Sequence, residues 1–147
     1  MAIHTAAGTK FSISAGLPVT NDEAGYAALT FTEVGEVTNI ADFGANSNVI
    51  NHSPLSDPII QKYKGSADMG GGSLDFATLS SDAGQILLKT AAAYNTYAAY
   101  SVKVEESDGS ISYFKALFTS FVKKIGTIDN VVMASVNMAI TSKVIDA

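Results

Sequence analysis

Cysteine is absent from the 147 residues, so disulfides and thiolate metal sites are excluded. Tryptophan is absent as well, and all nine basic residues are lysines. Arginine's planar fork is the usual reader of phosphates and of guanine edges. Its absence, together with a formal net charge of −5, argues against nucleic-acid binding and against anchoring on an anionic membrane. No segment approaches the roughly 18 consecutive apolar residues of a membrane span. The N-terminal stretch lacks both a basic start and an apolar run, so no secretory leader is expected. The reading is of a soluble chain made in the cytoplasm.

Charge is scarce too. Only 16% of residues are charged, against a usual share of about 25%. Such a chain either tolerates a neutral surface or buries part of it in partners, and composition alone leaves both open. The length suits one domain, spanning 1–147.

Apolar residues make up 47% of the chain, and they are arranged mostly in alternation. Phe11, Ile13 and Ala15 alternate with polar neighbours, which predicts a half-buried strand over Thr9–Ala15. The stretch Gly16–Tyr26 reads as a loop. Ala28–Ile40 is β-rich, and its alternation slips near Gly35, where a bulge or bend is expected. Between Asn39 and Ile59 no period survives, and Asp42 and Asp57 are the only formal charges. A long connection that still carries Phe43, Val49, Ile50 and Leu55 is expected to order by docking them, on another subunit or as a lid on its own domain.

Three consecutive glycines, Gly70–Gly72, separate the strand-like runs Ile59–Asp68 and Gly72–Thr78. A phosphate-cradling loop would need a lysine and a helix next; an alternating run, Ser73 to Phe76, follows instead. The expectation is a turn. Ser80–Tyr94 predicts a helix, started by a capping box of Asp82 and Gln85, with Leu87, Ala91 and Tyr94 on one face.

Ala98–Gly126 predicts a long hairpin turning at Ser107-Asp108-Gly109-Ser110. Its second arm is apolar on both faces: Phe114, Phe118 and Val122 on one, Tyr113, Leu117 and Phe121 on the other. Both faces must therefore be covered. Val131–Ile145 reads as one long final strand, with Val132, Ala134, Val136, Met138, Ile140 and Val144 on one face. The expected architecture is mainly β: an antiparallel sandwich or barrel of about seven strands with one flanking helix.

No catalytic constellation emerges. His4 and His52 lack metal-ligand spacing and read as incidental. No nucleophile elbow is present, since Asp75 stands where a second glycine is needed. Glu105, Glu106 and Asp108 lie at a hairpin tip without the spacing of a calcium loop, and turn chemistry explains them. Neither an enzyme, nor a cofactor, nor a metal site is expected.

The order of these elements does carry a signal. The segments "NINHSPLSDPI", "KYKGSADMGGGSLDFA", "SDAGQILLKTAAAY" and "YSVKVEESDGSISYFKALFTSFVKKIGTIDNVVMASVNMAIT" follow one another over about Thr9–Val144. In this order the chain resembles the tail tube (major tail) proteins of long-tailed phages, whose fold recurs in contractile tails and type VI secretion tubes.

The resemblance implies a β-sandwich subunit, rings of six, stacked rings, and inner sheets merged around a channel for genome ejection. It implies a virion tail component, assembled in the bacterial cytoplasm, with tape-measure, tail-tip and tail-terminator partners. Asn39–Ile59 then becomes an inter-ring arm docking through Phe43, Val49, Ile50 and Leu55. Phe114, Phe118 and Phe121 become core or subunit-interface aromatics. DNA should pass without being gripped, because each neutralised phosphate adds affinity. Glu33, Glu36, Asp68 and Glu105 are the expected lumen acids. The alternatives are a secretion-system tube subunit or a non-catalytic binding module for carbohydrate or host surfaces, with Tyr63, Tyr94, Tyr97 and Tyr100 as platforms.

Overall fold

The computed structural model describes residues 3–147. Strand β1 (Lys10–Ser14) turns Phe11 and Ile13 into the core, as their alternation predicts. It lies between β2 (Thr32–Val34) and β6 (Tyr100–Glu105). The expected loop between β1 and β2 holds a short helix, α1 (Glu23–Ala27). Asp22 caps it, accepting from the Gly25 N–H at 2.8 Å and from the Thr20 hydroxyl at 2.8 Å.

The remaining elements are β3 (Val37–Ile40), β4 (Phe43–His52), β5 (Gln61–Ala77), α2 (Ala83–Ala91), β7 (Ile111–Lys124), β8 (Met133–Ile140) and β9 (Ile145–Asp146). Nine strands and two helices thus stand, among the described residues, where about seven and one were expected. All the pairings are antiparallel, in the order β2-β1-β6-β7-β8-β5-β3, with β4 added to β5 and β9 to β7.

The two ends of that order, β2 and β3, are joined by only Gly35 and Glu36. Three Cα steps span at most about 11 Å. The sheet must therefore roll until its end strands nearly meet, with one core inside. Phe11, Ile13, Leu74, Phe76, Val102, Phe114, Ala134 and Val136 fill it from five strands. Glu36 takes the left-handed turn at the link (φ 58°), which explains the slip in alternation read near Gly35.

Helix α2 sits on this seam. One carboxylate oxygen of Asp82 accepts from the Gln85 N–H, capping the helix, and from the Gly35 N–H, pinning the link, each at 3.0 Å. The Gln85 side chain does not complete a capping box. Its amide oxygen accepts from the Leu79 N–H (2.7 Å), and its nitrogen donates to the carbonyls of Gly35 (2.9 Å) and Ala77 (2.8 Å). A Cβ at Gly84 would overlap the Glu33 carbonyl, so only glycine lets the helix lie this close to β2. Leu88 and Ala91 complete the core from the helix, whereas Tyr94 lies beyond its end and is exposed, contrary to the expected apolar face.

Three further expectations are corrected. Gly70–Gly72 make no turn: β5 runs 17 residues straight through them. The glycines instead mark where β5 changes partner, from β4 (up to Gly70) to β8 (from Gly71). Gly70 and Gly72 have positive φ (94° and 153°), and a Cβ at Gly72 would press on Ala41. On β7, a register shift between Phe118 and Ser120 flips the alternation. Phe121 therefore packs on the core with Phe76 (5.8 Å between ring centres), while Val122 faces out. The final strand stops at Ile140, where the Lys115 N–H donates to the Ser142 hydroxyl (2.9 Å) and the Thr141 N–H to the Lys115 carbonyl (2.9 Å), turning the chain into β9.

Candidate functional site

The segment expected to be structureless is half of a hairpin. β4 pairs with the first ten residues of β5, with Ile50 opposite Tyr63, Val49 opposite Lys64 and His52 opposite Gln61. Two register shifts, between Phe43 and Asn46 and between Ser47 and Val49, break its alternation. Among the described residues neither β4 nor Gln61–Gly70 of β5 pairs with any other strand. The arm therefore projects with two open edges, a standing invitation to another copy's strand. At about 3.3 Å per residue it is roughly 30 Å long.

Its apolar residues are uncovered. Val49, Ile50 and Leu55 are each at least 54% exposed, and Ile59, Ile60 and Tyr63 join them. Ile50 lies over Gly65 and beside Tyr63, so one face carries both; Val49 is on the other face with Lys64. Phe43, at the arm's root, packs within the chain instead, 5.2 Å from the Phe114 ring and against the core. Ile60 and Tyr63 belong to the arm although the sequence placed its end at Ile59, and Ile59 is itself exposed there. The alternating run from Gln61 was legible as a strand, but its partner was not.

A second open edge lies on β7. Residues Leu117–Lys124 pair with β8 alone, beyond the reach of β6. Val122, Ile125, Ile128 and Val131 are exposed there.

The four expected lumen acids are not brought together. Glu33 on β2 and Glu105 on β6 share the outward face of one sheet region, beside Lys10 and Lys103. Glu36 is in the seam, and Asp68 is on the arm, where its carboxylate accepts from the Gly70 N–H at 3.0 Å. Phe114 and Phe118 are buried in the chain's own core, with Phe121 half-buried beside them.

A different face is left bare by the chain. Across β5, β8 and β7 the outward rows read Ser73-Asn137-Ser120 and Asp75-Ser135-Val122, and Asn39 of β3 extends the second. The face carries small polar side chains, one acid (Asp75) and the exposed Val122, and the next row, Ala77-Met133-Lys124, adds a lysine at its end. In contrast, the outward face of β7 nearer its start is closed by α1: Tyr26 stacks on Tyr113 at 5.3 Å, and Phe31 reaches it at 5.9 Å.

Burial first, then Glu23 and Glu105, holds the Tyr113 phenol above its ordinary value of 10.0. A phenol raised by folding favours the native state below pH 10 and loses that contribution as pH climbs through the folded value. Tyr113→Phe keeps the stack but cannot ionise. In urea titrations its midpoint should fall less than the parent's between pH 10 and 11. An equal fall in both would show that folding does not raise the Tyr113 phenol.

Buried polar side chains are spent on structure: among the described residues none lacks a hydrogen-bond partner. Ser101, for example, donates to the Gly16 carbonyl at 2.7 Å. An open cavity of about 690 Å³ lies between the N-terminal segment, β3 and the start of β4, lined in part by His4, Asp42 and Glu106. No helix among the described residues is long and apolar enough to cross a membrane.

No protein-family model and no curated protein matches the sequence. Solved structures do match the fold. A chain of the PVC sheath/tube terminator, from an extracellular contractile injection system in the extended state, superposes with a TM-score of 0.72. That match covers 100% of this chain and 98% of the other at 7% identity. A chain of the PVC sheath–tube complex gives 0.63 over 95% and 87% at 9% identity. A chain of the tube-terminating cap of the anti-feeding prophage gives 0.60 over 100% and 93% at 10% identity. The fold is thus shared, over essentially the whole chain, with components of tube-bearing injection machines, in line with the resemblance to tail-tube proteins.

Proposed function

We propose that this chain is a non-catalytic structural subunit that self-assembles into rings, six copies to a ring, stacked as the tube of a phage tail or related injection particle. The observation that carries this reading is the β4–β5 arm, a hairpin with two unpaired edges and apolar side chains that its own chain leaves uncovered. A monomer would be exposed to edge-to-edge aggregation. In a ring stack the arm docks on the adjacent ring through Val49, Ile50 and Leu55, with Phe43 fixing its root. The open edge Leu117–Lys124 pairs with a neighbouring copy in the same ring. Superposition over 95–100% of this chain on chains of tube-bearing assemblies supports the same picture.

In this reading the bare polar face of β3, β5, β8 and β7 lines the channel. Its central serines and asparagines offer DNA no cation and Asp75 repels phosphate, with Lys124 only in the row at the end of the face. Asp75 is then the acid on this lumen face, while Glu33 and Glu105 on β2 and β6, Glu36 in the seam and Asp68 on the arm lie off it. Tape-measure, tail-tip and terminator proteins are the expected partners, and the particle is the site of action.

A second reading has its own support. The superposition is better on a chain of the sheath/tube terminator structure (0.72) than on one of the sheath–tube complex (0.63). A terminator subunit would form one ring and stop. Negative-stain microscopy of the concentrated protein separates the two. Long hollow tubes establish the tube subunit, and isolated rings the terminator. A monodisperse single chain at every concentration overturns both.

A further inference from the structure

We propose that His4, Glu106 and Asp108 form a binding site for a divalent transition-metal ion of the Zn2+ class, clipping the N-terminal segment to the β6–β7 turn. One donor atom from each residue lies within 4.8 Å of the other two, although His4 and the turn are about a hundred residues apart in sequence.

The turn is built to present its carboxylates. Gly109 takes positive φ (92°), its N–H donates to the Glu106 carbonyl at 3.0 Å, and the Glu106 N–H donates to the Ser110 carbonyl at 2.8 Å. Asp108 uses one oxygen, Oδ1, to accept from the Ser110 N–H at 2.9 Å, which leaves Oδ2 facing His4. On the opposite side, a turn from Ala6 to Thr9 (3.1 Å) sets Gly8 directly against Ser107 and places the imidazole over the carboxylates.

Each carboxylate faces a different imidazole nitrogen, so for one ion to be shared the ring must turn to bring a single nitrogen toward both carboxylates. His4 Nε2 is 3.5 Å from Glu106 Oε1, and Nδ1 is 3.6 Å from Asp108 Oδ2. Direct N–H···O bonds are shorter, about 2.7–3.2 Å. Two ligands sharing one tetrahedral ion at about 2.0–2.1 Å stand roughly 3.3 Å apart. The side chains keep 32%, 45% and 42% of their surface open, so an ion can reach them and their rotation can close the widest gap. One imidazole and two carboxylates suit Zn2+ and its neighbours; Mg2+ prefers oxygen ligands and keeps its water.

The test is calorimetric titration of the full chain with Zn2+ at pH 7.5, with Mg2+ in parallel. One Zn2+ per chain and no Mg2+ binding are expected. His4→Lys keeps a cation beside both carboxylates but offers no metal ligand at this pH; it should weaken Zn2+ binding at least tenfold, as should D108N. H52A should leave it unchanged, and saturating Zn2+ should raise the thermal midpoint of the parent but not of His4→Lys. No Zn2+ binding up to about 1 mM, undiminished binding by His4→Lys, or loss of binding in H52A would each overturn the proposal. It stands apart from the assembly reading, since the cluster lies on the β6–β7 turn rather than on the arm.

Discussion

Replacing Gln85 with leucine should destabilise the chain by about 3–5 kcal/mol, the largest stability effect expected of any single substitution considered. The side chain is 6% exposed and makes three hydrogen bonds, all to backbone: the Leu79 N–H and the carbonyls of Gly35 and Ala77. Those groups come from the approach to α2, the link between β2 and β3, and the end of β5. Leucine fills a similar volume but satisfies none of them. Each buried polar group left without a partner costs about 1–3 kcal/mol. Urea denaturation should show a lower midpoint with an unchanged slope, meaning stability is lost without a change in the surface exposed. A loss under 1 kcal/mol would mean that water replaces the amide and that the seam does not depend on it.

The combined substitution Val49→Thr, Ile50→Thr and Leu55→Ser should abolish assembly at concentrations where the parent forms rings or tubes. All three side chains are largely exposed in the single chain, so folding should be untouched. Threonine keeps the β-branching that suits a strand. Burying each apolar side chain against another subunit is worth about 1–2 kcal/mol, a cautious share of the full transfer value. Together they contribute roughly 3–6 kcal/mol per subunit, which raises the concentration needed for assembly by about two to four orders of magnitude. Light scattering against concentration, with circular dichroism as the folding control, measures both halves. Substitution is a cleaner test than deleting Asn46–Ser53, because deletion also strips most of β4 from β5. Tubes of normal length from the triple variant would remove the arm from the assembly mechanism.

Much of the roll was legible in the sequence because its patterns are local. The Ser107–Ser110 turn, the Asp82 cap and the inward face from Ala134 to Ile140 each follow from a few neighbouring residues. The misreadings share one cause: the deciding partner lies far away in sequence. Three glycines permit a turn or a change of partner equally well, and β8, some 65 residues later, decides between them. β4 shows no period because its register shifts twice and the chain buries neither of its faces. α1 spans only five residues, too few for an amphipathic stripe, though Asp22 before Glu23 carried a cap signature. The bulge that turns Phe121 inward leaves no mark in composition. At the proposed site, the apolar residues of the arm were visible as out of place, but Ile60 and Tyr63 could not be assigned to it without the pairing.

The strand order also has a consequence for synthesis. β8 is the wedge between β7 and β5, yet it follows both in sequence and leaves the ribosome after them. Until Met133–Ile140 emerge, the nascent polypeptide holds two half-sheets whose greasy interiors have no lid between them. Folding dominated by distant pairings is slow, and partly closed intermediates are sticky. A cell making many copies at once must keep those halves apart through translation, so chaperone demand is written into the order of the strands.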